Sequence, residues 1–197
     1  MAAVDLTFEL RGQTIPRHHS DLLFRALARE LAWLEQEEGA GIHAIAGPDA
    51  GAERIYVTRR TRLVLRLPRE RAQQAQLLAG ARLDVGGELS VGEARIRPLV
   101  PHDTLYARLV AAACDSEPAF EDEMAQQLND AGVRCAIICG QRGEVNANGA
   151  TMRGQSVLLH GLTQDDSLRM QEMGLGVGRK FGCGLFTPHK SVRAVGT

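Results

Sequence analysis

Apolar residues in this chain switch between strand-like alternation and helical spacing in a set order, and the order runs through twice. Val4 to Leu10 alternates, with Leu6, Phe8 and Leu10 on one face, which predicts a strand. A short linker with Gly12 and Pro16 follows, ending in Arg17-His18-His19-Ser20. From Asp21 to Leu34 the spacing of Leu23, Leu27, Leu31 and Leu34 predicts a helix. Ser20 is the expected N-cap, Asp21 complements the helix dipole, and Gly39 and Gly41 stop the element. Arg54 to Leu67 reads as strands, and in Arg62-Leu63-Val64-Leu65-Arg66-Leu67 the leucines take one side while Arg62 and Arg66 take the other. Pro68 opens a short helix to Ala79, and a strand pair around Gly86-Gly87 closes the first pass.

The second pass begins with extended stretches from Arg95 to Val100 and from Thr104 to Ala111. Ser116 caps a helix whose Phe120, Met124 and Leu128 stack four apart, and Gly132 ends it. Val133–Cys139 and Gln155–Gly161 read as strands. Thr163-x-x-Asp166 has the form of a capping box, with Asp in place of Glu, and opens a helix to Met173. Gly174 caps that helix, a glycine-rich loop follows, and Gly184 to His189 is the last strand. Two β-α-β-β-α-β passes predict an α+β chain of tandem ferredoxin-like (RRM-like) domains. The halves are expected at residues 1–93 and 94–197, the second carrying a C-terminal glycine-rich loop at 174–184. A length of 197 residues suits two units of that size. That superfold hosts many functions, so function has to be read from sites.

Aromatics make up only 4% of the chain, so the core must come from Leu, Val, Ile and Ala. No apolar run reaches membrane-spanning length, and the first ten residues lack the basic and apolar regions of a secretory signal, so a cytoplasmic location is expected. Cys135 and Cys139 sit in the apolar run VRCAIICG without further ligands nearby, which favours buried thiols over a zinc site. The formal net charge of −1 conceals a segregated pattern. From Arg54 to Arg71 seven arginines face one acid, Glu70, whereas Asp115 to Asp130 carries six acids and no basic residue. A basic face is an electrostatic footprint for phosphate. Of 23 basic side chains 21 are Arg, which suits bidentate phosphate contact and base stacking, and a GC-rich genome gives the same bias.

The segment Gly174-Leu175-Gly176-Val177-Gly178-Arg179-Lys180-Phe181-Gly182-Cys183-Gly184 holds five glycines, residues that permit positive φ and close backbone approach. A dinucleotide fingerprint fails on register, because Arg179 stands where G-x-G-x-x-G needs glycine, and on order, because the loop follows a helix. A P-loop is excluded, since no G-K-[ST] occurs. A loop that cradles a phosphodiester backbone remains, with Arg179 and Lys180 supplying charge.

Here the sequence resembles a known family. GLGVGRKFGCGLFTPHKS is similar to the C-terminal glycine-rich motif of the CRISPR-associated Cas six endoribonucleases, Myxan-subtype branch. HSDLLFRALARELAWL, GIHAIAG, RIYVTRRTRLVLRLP and TLYARLV resemble further stretches of that branch in the expected order. The resemblance implies a tandem ferredoxin-like fold and cleavage of precursor CRISPR RNA within the repeat. It further implies a mature guide RNA retained and carried into a Cascade-like effector complex.

RNA carries its own nucleophile, so such an enzyme needs a base, a cationic group for the phosphorane and substrate positioning, with no metal or other cofactor. No cluster with metal-ligand spacing stands out. The resemblance places the catalytic histidine at the junction before the first helix, and aligning L-x-R-A-L puts it on His19, with the adjacent His18 as the alternative. There the helix dipole favours a neutral imidazole. The family's hydroxyl helper is missing or replaced by Ser20. Arg59, Arg60, Arg62 and Arg66 form the candidate RNA face. Gly176, Gly178, Arg179, Lys180, His189 and Lys190 are the candidate RNA contacts of the glycine-rich motif, and Arg17 is a further candidate for charge stabilisation. His43 reads chiefly as a packing residue, His102 and His160 as structural, and Tyr56 and Tyr106 as base-stacking or core residues. The competing readings are a non-catalytic RNA-binding subunit and an unrelated small-molecule-binding protein.

Overall fold

The alternation of Val4, Leu6, Phe8 and Leu10 forms the strand β1 (Ala3–Gly12), with these four residues buried and Asp5, Thr7 and Glu9 on the other face. The computed structural model describes residues 2–114 and 116–190. Asp115, at the head of the acidic run, and residues 191–197 of the second half lie outside the described residues. The chain forms two units. One comprises Met1–Leu99, Val145–Met152 and Gly178–Gly182, and the other Val100–Glu144, Arg153–Val177 and Cys183–Thr197.

In the first unit β1 is followed by β2 (Thr14–Pro16), α1 (Ser20–Glu30), β3 (Gly41–Ile42), β4 (Asp49–Gly51), β5 (Arg54–Tyr56) and β6 (Arg62–Pro68). Then come α2 (Ala72–Ala75), flanked by 3₁₀ turns Arg69–Arg71 and Gln76–Leu78, and β7 (Arg82–Asp84) and β8 (Glu88–Pro98). The main sheet has the order β3-β6-β1-β8-β7, and β2-β5-β4 form a small second sheet. Leu6 stands opposite Leu65 on β6 and Ile96 on β8. Leu6, Phe8, Leu63, Leu65 and Leu67 meet Leu23 and Leu27 of α1 in one core, each at most 1% exposed. Full burial of one such side chain stabilises by about 1.5–3 kcal/mol.

Two details of α1 differ from the expectation. Ser20 is the first helical residue, and the N-cap is His19, whose ring makes no capping bond. The helix stops at Glu30, because Leu31 turns out of helical geometry at φ −123° and ψ 81°. Leu31 and Leu34 still reach the core through the turns that follow.

The second unit contains β9 (Thr104–Ala111), α3 (Glu117–Asp130), α4 (Gln164–Met173), β12 (Thr187–Pro188) and all of β10 (Ala136–Ala147) and β11 (Ala150–His160) except their hairpin end Val145–Met152, with sheet order β10-β11-β9-β12. Both units thus place the second, third, first and fourth strands of a β-α-β-β-α-β pass side by side, the ferredoxin-like arrangement. Ser116 Oγ accepts from the Ala119 N–H and Thr163 Oγ1 from the Asp166 N–H, the two caps expected. Phe120, Met124 and Leu128 are buried against Leu105, Val157 and Leu159.

The strand expected at Val133–Cys139 starts at Ala136 and continues to Ala147, returning as β11 through Asn148 and Gly149, whose φ values are +50° and +79°. Such a pair matches the twist of a two-residue hairpin. The last strand, expected from Gly184, is confined to Thr187–Pro188, although the Gly184 and His189 N–H groups on either side still donate to the Leu109 and Thr104 carbonyls of β9. Among the described residues no helix is long and apolar enough to cross a membrane.

Candidate nucleic-acid interface

The linker after β2 carries the two histidines singled out at the helix junction, and the fold treats them differently. His19 is 3% exposed. Its Nδ1 lies 2.9 Å from the Pro16 carbonyl, and the Ile45 N–H donates to Nε2 at 3.0 Å. A carbonyl only accepts, so Nδ1 carries the proton and Nε2 the lone pair. His18 has 52% of its side chain exposed, with Nε2 3.7 Å from the Glu53 carboxylate. Arg17 pairs with Asp49 at 2.7 Å and lies 3.8 Å from Glu53. Asp21, one residue into α1, accepts the Asn148 N–H at 2.9 Å from the tip of the β10–β11 hairpin.

The candidate RNA face divides. Arg59 and Arg60 are exposed on the turn between β5 and β6. Arg62 donates to the Arg59 and Thr61 carbonyls at 2.7 and 2.8 Å and so braces that turn. Arg66 does not join the face: it is 0% exposed and grips Asp5 through Nε at 2.8 Å and Nη2 at 2.9 Å. The register explains this, since Asp5 on β1 stands directly opposite Arg66 on β6.

His43 lies 4.0 Å from the Asp5 carboxylate, and its buried Nε2 has no hydrogen-bond partner. Burial, with the Arg66 and Arg179 charges added, pushes the imidazole down to about 4, against a smaller opposing pull from Asp5. Burial likewise lowers Arg179 to about 10, with the like charge of Arg66 second.

The glycine-rich loop splits by contacts, Gly178–Gly182 belonging to the first unit. Its cations and ring turn into that unit: Lys180 Nζ donates to the Glu35 carbonyl at 2.6 Å, and Phe181 meets Phe24 edge-on with centroids 5.0 Å apart. Gly178 and Gly182 flank this turn with φ +85° and +89°. In the second unit the Gly176 N–H donates to Gln127 Oε1 at 2.8 Å and the Val177 N–H to the Ala111 carbonyl at 3.0 Å. A Cβ on Gly176 would run into that carbonyl. These glycines therefore serve close approach to the protein's own backbone, and the N–H groups of Gly174, Gly176, Val177, Phe181, Gly182 and Gly184 are all accepted by it or by Gln127. His189 and Lys190 follow β12 and are exposed.

Among the described residues no group of three or more His, Cys, Asp or Glu is placed to hold a metal ion. Burial raises the Cys135 and Cys139 thiols, which lie half-buried against the core where buried thiols were expected. Sequence reasoning missed Asp5 and the Ile45 N–H. Asp5 had a signal, an acid on the arginine side of the strand pair, whereas a backbone donor from a distant loop has none.

The model of the family described as Cas6 Crispr matches residues 4–191. The CRISPR-associated endonuclease Cas6 of Myxococcus xanthus (strain DK1622) is 37% identical over 191 residues, spanning 95% of this chain and 82% of that protein. Solved structures share the fold at low identity. The product of a Cas6-related gene from Pyrococcus furiosus superposes with a TM-score of 0.69 at 10% identity, covering 94% of this chain and 98% of that one. Thermus thermophilus Cse3 bound to an RNA representing a pre-cleavage complex superposes with a TM-score of 0.56 at 12% identity, covering 95% and 98%. With a family model matching nearly its whole length and a relative above one-third identity, the chain belongs to the Cas6 family.

Proposed function

We propose that this chain is a metal-independent endoribonuclease that cuts precursor CRISPR RNA within the repeat. The observation that carries this reading is the 37% identity, over 95% of the chain, to a protein named as a CRISPR-associated endonuclease. In the reaction a base takes the proton from a ribose 2′-hydroxyl, the 2′-oxygen bonds to phosphorus, and the bond to the 5′-oxygen breaks. The 5′-oxygen leaves with a proton, giving a 2′,3′-cyclic phosphate and a 5′-hydroxyl.

His19 is the proposed base, because its hydrogen bonds hold the Nδ1–H tautomer with the lone pair on Nε2. The Ile45 N–H covers that lone pair and has to withdraw before Nε2 reaches a 2′-hydroxyl. His18 is the second reading, favoured by a half-exposed ring that needs no such opening. Arg59 and Arg60 offer exposed charge to the phosphates, and Arg179, Lys180 and Lys190 are the proposed cations of the glycine-rich motif. For Lys180 this requires exchange of the Glu35 carbonyl for phosphate. We place the protein in the cytoplasm, retaining the mature guide RNA for an effector complex.

The test is incubation of the purified chain with its cognate repeat RNA in EDTA, comparing wild type with His19→Ala and His18→Ala. A single cut ending in a cyclic phosphate, lost in His19→Ala alone, supports the reading. Loss in His18→Ala alone moves the base to His18, and binding without any cut makes the chain an RNA-binding subunit.

A further inference from the structure

The sheet of the second unit has one face that the helices do not cover. Leu105 and Ala107 of β9 point into the core, so Thr104, Tyr106 and Arg108 share the opposite face. His160 on β11 pairs with Thr104 in the ladder, and on the other side the His189 N–H donates to the Thr104 carbonyl at 3.0 Å. Tyr106 and His189 hold their rings 5.5 Å apart at 52°. His160 Nδ1 lies 2.8 Å from Thr104 Oγ1 and 3.1 Å from the Asp103 carboxylate, on a side chain 53% exposed. A carboxylate only accepts, so Nδ1 carries the proton and Nε2, on the far edge of the ring, is an acceptor. Arg108 and Lys190 are exposed, and Asp103 is engaged by His160 and Thr104. The face therefore joins two adjacent aromatic rings, positive charge and one oriented acceptor.

We propose that this face is a binding surface for a single-stranded segment of RNA, Tyr106 and His189 stacking on nucleobases, Arg108 meeting phosphate and His160 Nε2 accepting from a ribose 2′-hydroxyl. The inference rests on the RNA-processing reading above and adds to it a site outside the glycine-rich loop. Aromatic side chains on a four-stranded sheet stack bases regardless of sequence, and an acceptor aimed at a 2′-hydroxyl separates RNA from DNA.

The experiment is a fluorescence-anisotropy titration of the full chain with a labelled single-stranded fragment of its repeat and with the all-deoxy counterpart, over a range of salt. Tyr106→Leu is expected to weaken RNA binding by about tenfold with the salt slope unchanged, and Tyr106→Phe to bind like wild type. Arg108→Gln is expected to lower the salt slope by about one. His160→Ala is expected to reduce the preference for RNA over DNA. Should Tyr106→Leu fail to fold, His189→Ala reads the same ring pair. Wild-type affinity in folded Tyr106→Leu and His189→Ala, while the wild-type chain still cuts its repeat, overturns this surface and leaves the processing activity standing. A wild-type chain that neither binds nor cuts the repeat overturns both.

Discussion

The Ile45 backbone N–H donates to Nε2 of His19 at 3.0 Å, closing the lone pair that the proposed base would use. In the RNA-free chain the Ile45 amide is expected to exchange slowly with solvent, and His19→Ala to release it. Addition of a repeat RNA carrying a 2′-deoxy cleavage site is expected to speed its exchange, read by NMR. An amide equally protected with and without RNA would assign the base to His18.

His19→Ala also leaves the Ile45 N–H and the Pro16 carbonyl without the ring between them. Orphaned polar groups at such sites cost about 1–3 kcal/mol each, so a loss of about 2–6 kcal/mol is expected, toward the low end because the Pro16 carbonyl is only part-buried. Urea unfolding checks this as a lower midpoint with an unchanged slope. His18→Ala, at a half-exposed position, should change stability by less than about 0.5 kcal/mol.

Asp5→Ala leaves the fully buried Arg66 guanidinium without its bidentate partner. Breaking such a pair costs about 3–5 kcal/mol, whereas replacing both partners by apolar residues of similar volume, as in Asp5→Leu with Arg66→Met, should recover most of it. A double-mutant cycle in urea measures the difference.

Arg59→Gln and Arg60→Gln should each lower the salt slope of RNA binding by about one, as expected of exposed phosphate contacts. Arg66→Gln should leave that slope unchanged and lower stability instead, because its charge is already held by Asp5. Binding titrations from low to physiological salt separate the two behaviours.

His43 gives stability a pH dependence of known sign. The folded chain holds its imidazole near 4, against about 6.5 when unfolded, so between those values the unfolded chain binds the extra proton. The contribution, up to about 3 kcal/mol, is fully present above pH 6.5 and is lost as pH falls toward 4. Unfolding measured at pH 7.5 and pH 4.5 should show this slope, and His43→Phe should flatten it.

The fold was legible where periodicity and caps agreed. Leu6 and Phe8, the leucine ladder of β6, Ser116 and Thr163 all stand as the pattern required. The β10–β11 hairpin was half hidden because β10 is exposed over much of its middle and shows no clean alternation there. Its Asn148-Gly149 turn signal was present in the sequence. At the site, the residues were easier to name than their state. Arg66 and Arg62 share a strand face, yet a register partner on β1 internalised Arg66 and turn carbonyls occupied Arg62. His18 and His19 are neighbours in sequence, and the Ile45 N–H, 26 residues on, meets the buried ring and not the exposed one. Long-range pairing of that kind leaves no mark on local composition.

The first unit takes its last two pieces, Val145–Met152 and Gly178–Gly182, from far along the chain. A ribosome that has delivered only residues up to 144 has supplied Asp5 and Arg66 together with Phe24, but not the Phe181 ring that meets Phe24 or the Asn148 amide that meets Asp21. Maturation of this unit during synthesis therefore waits for segments translated long after its own sheet. A nascent chain stalled between those points would hold the charge pair with the start of α1 still bare of its hairpin.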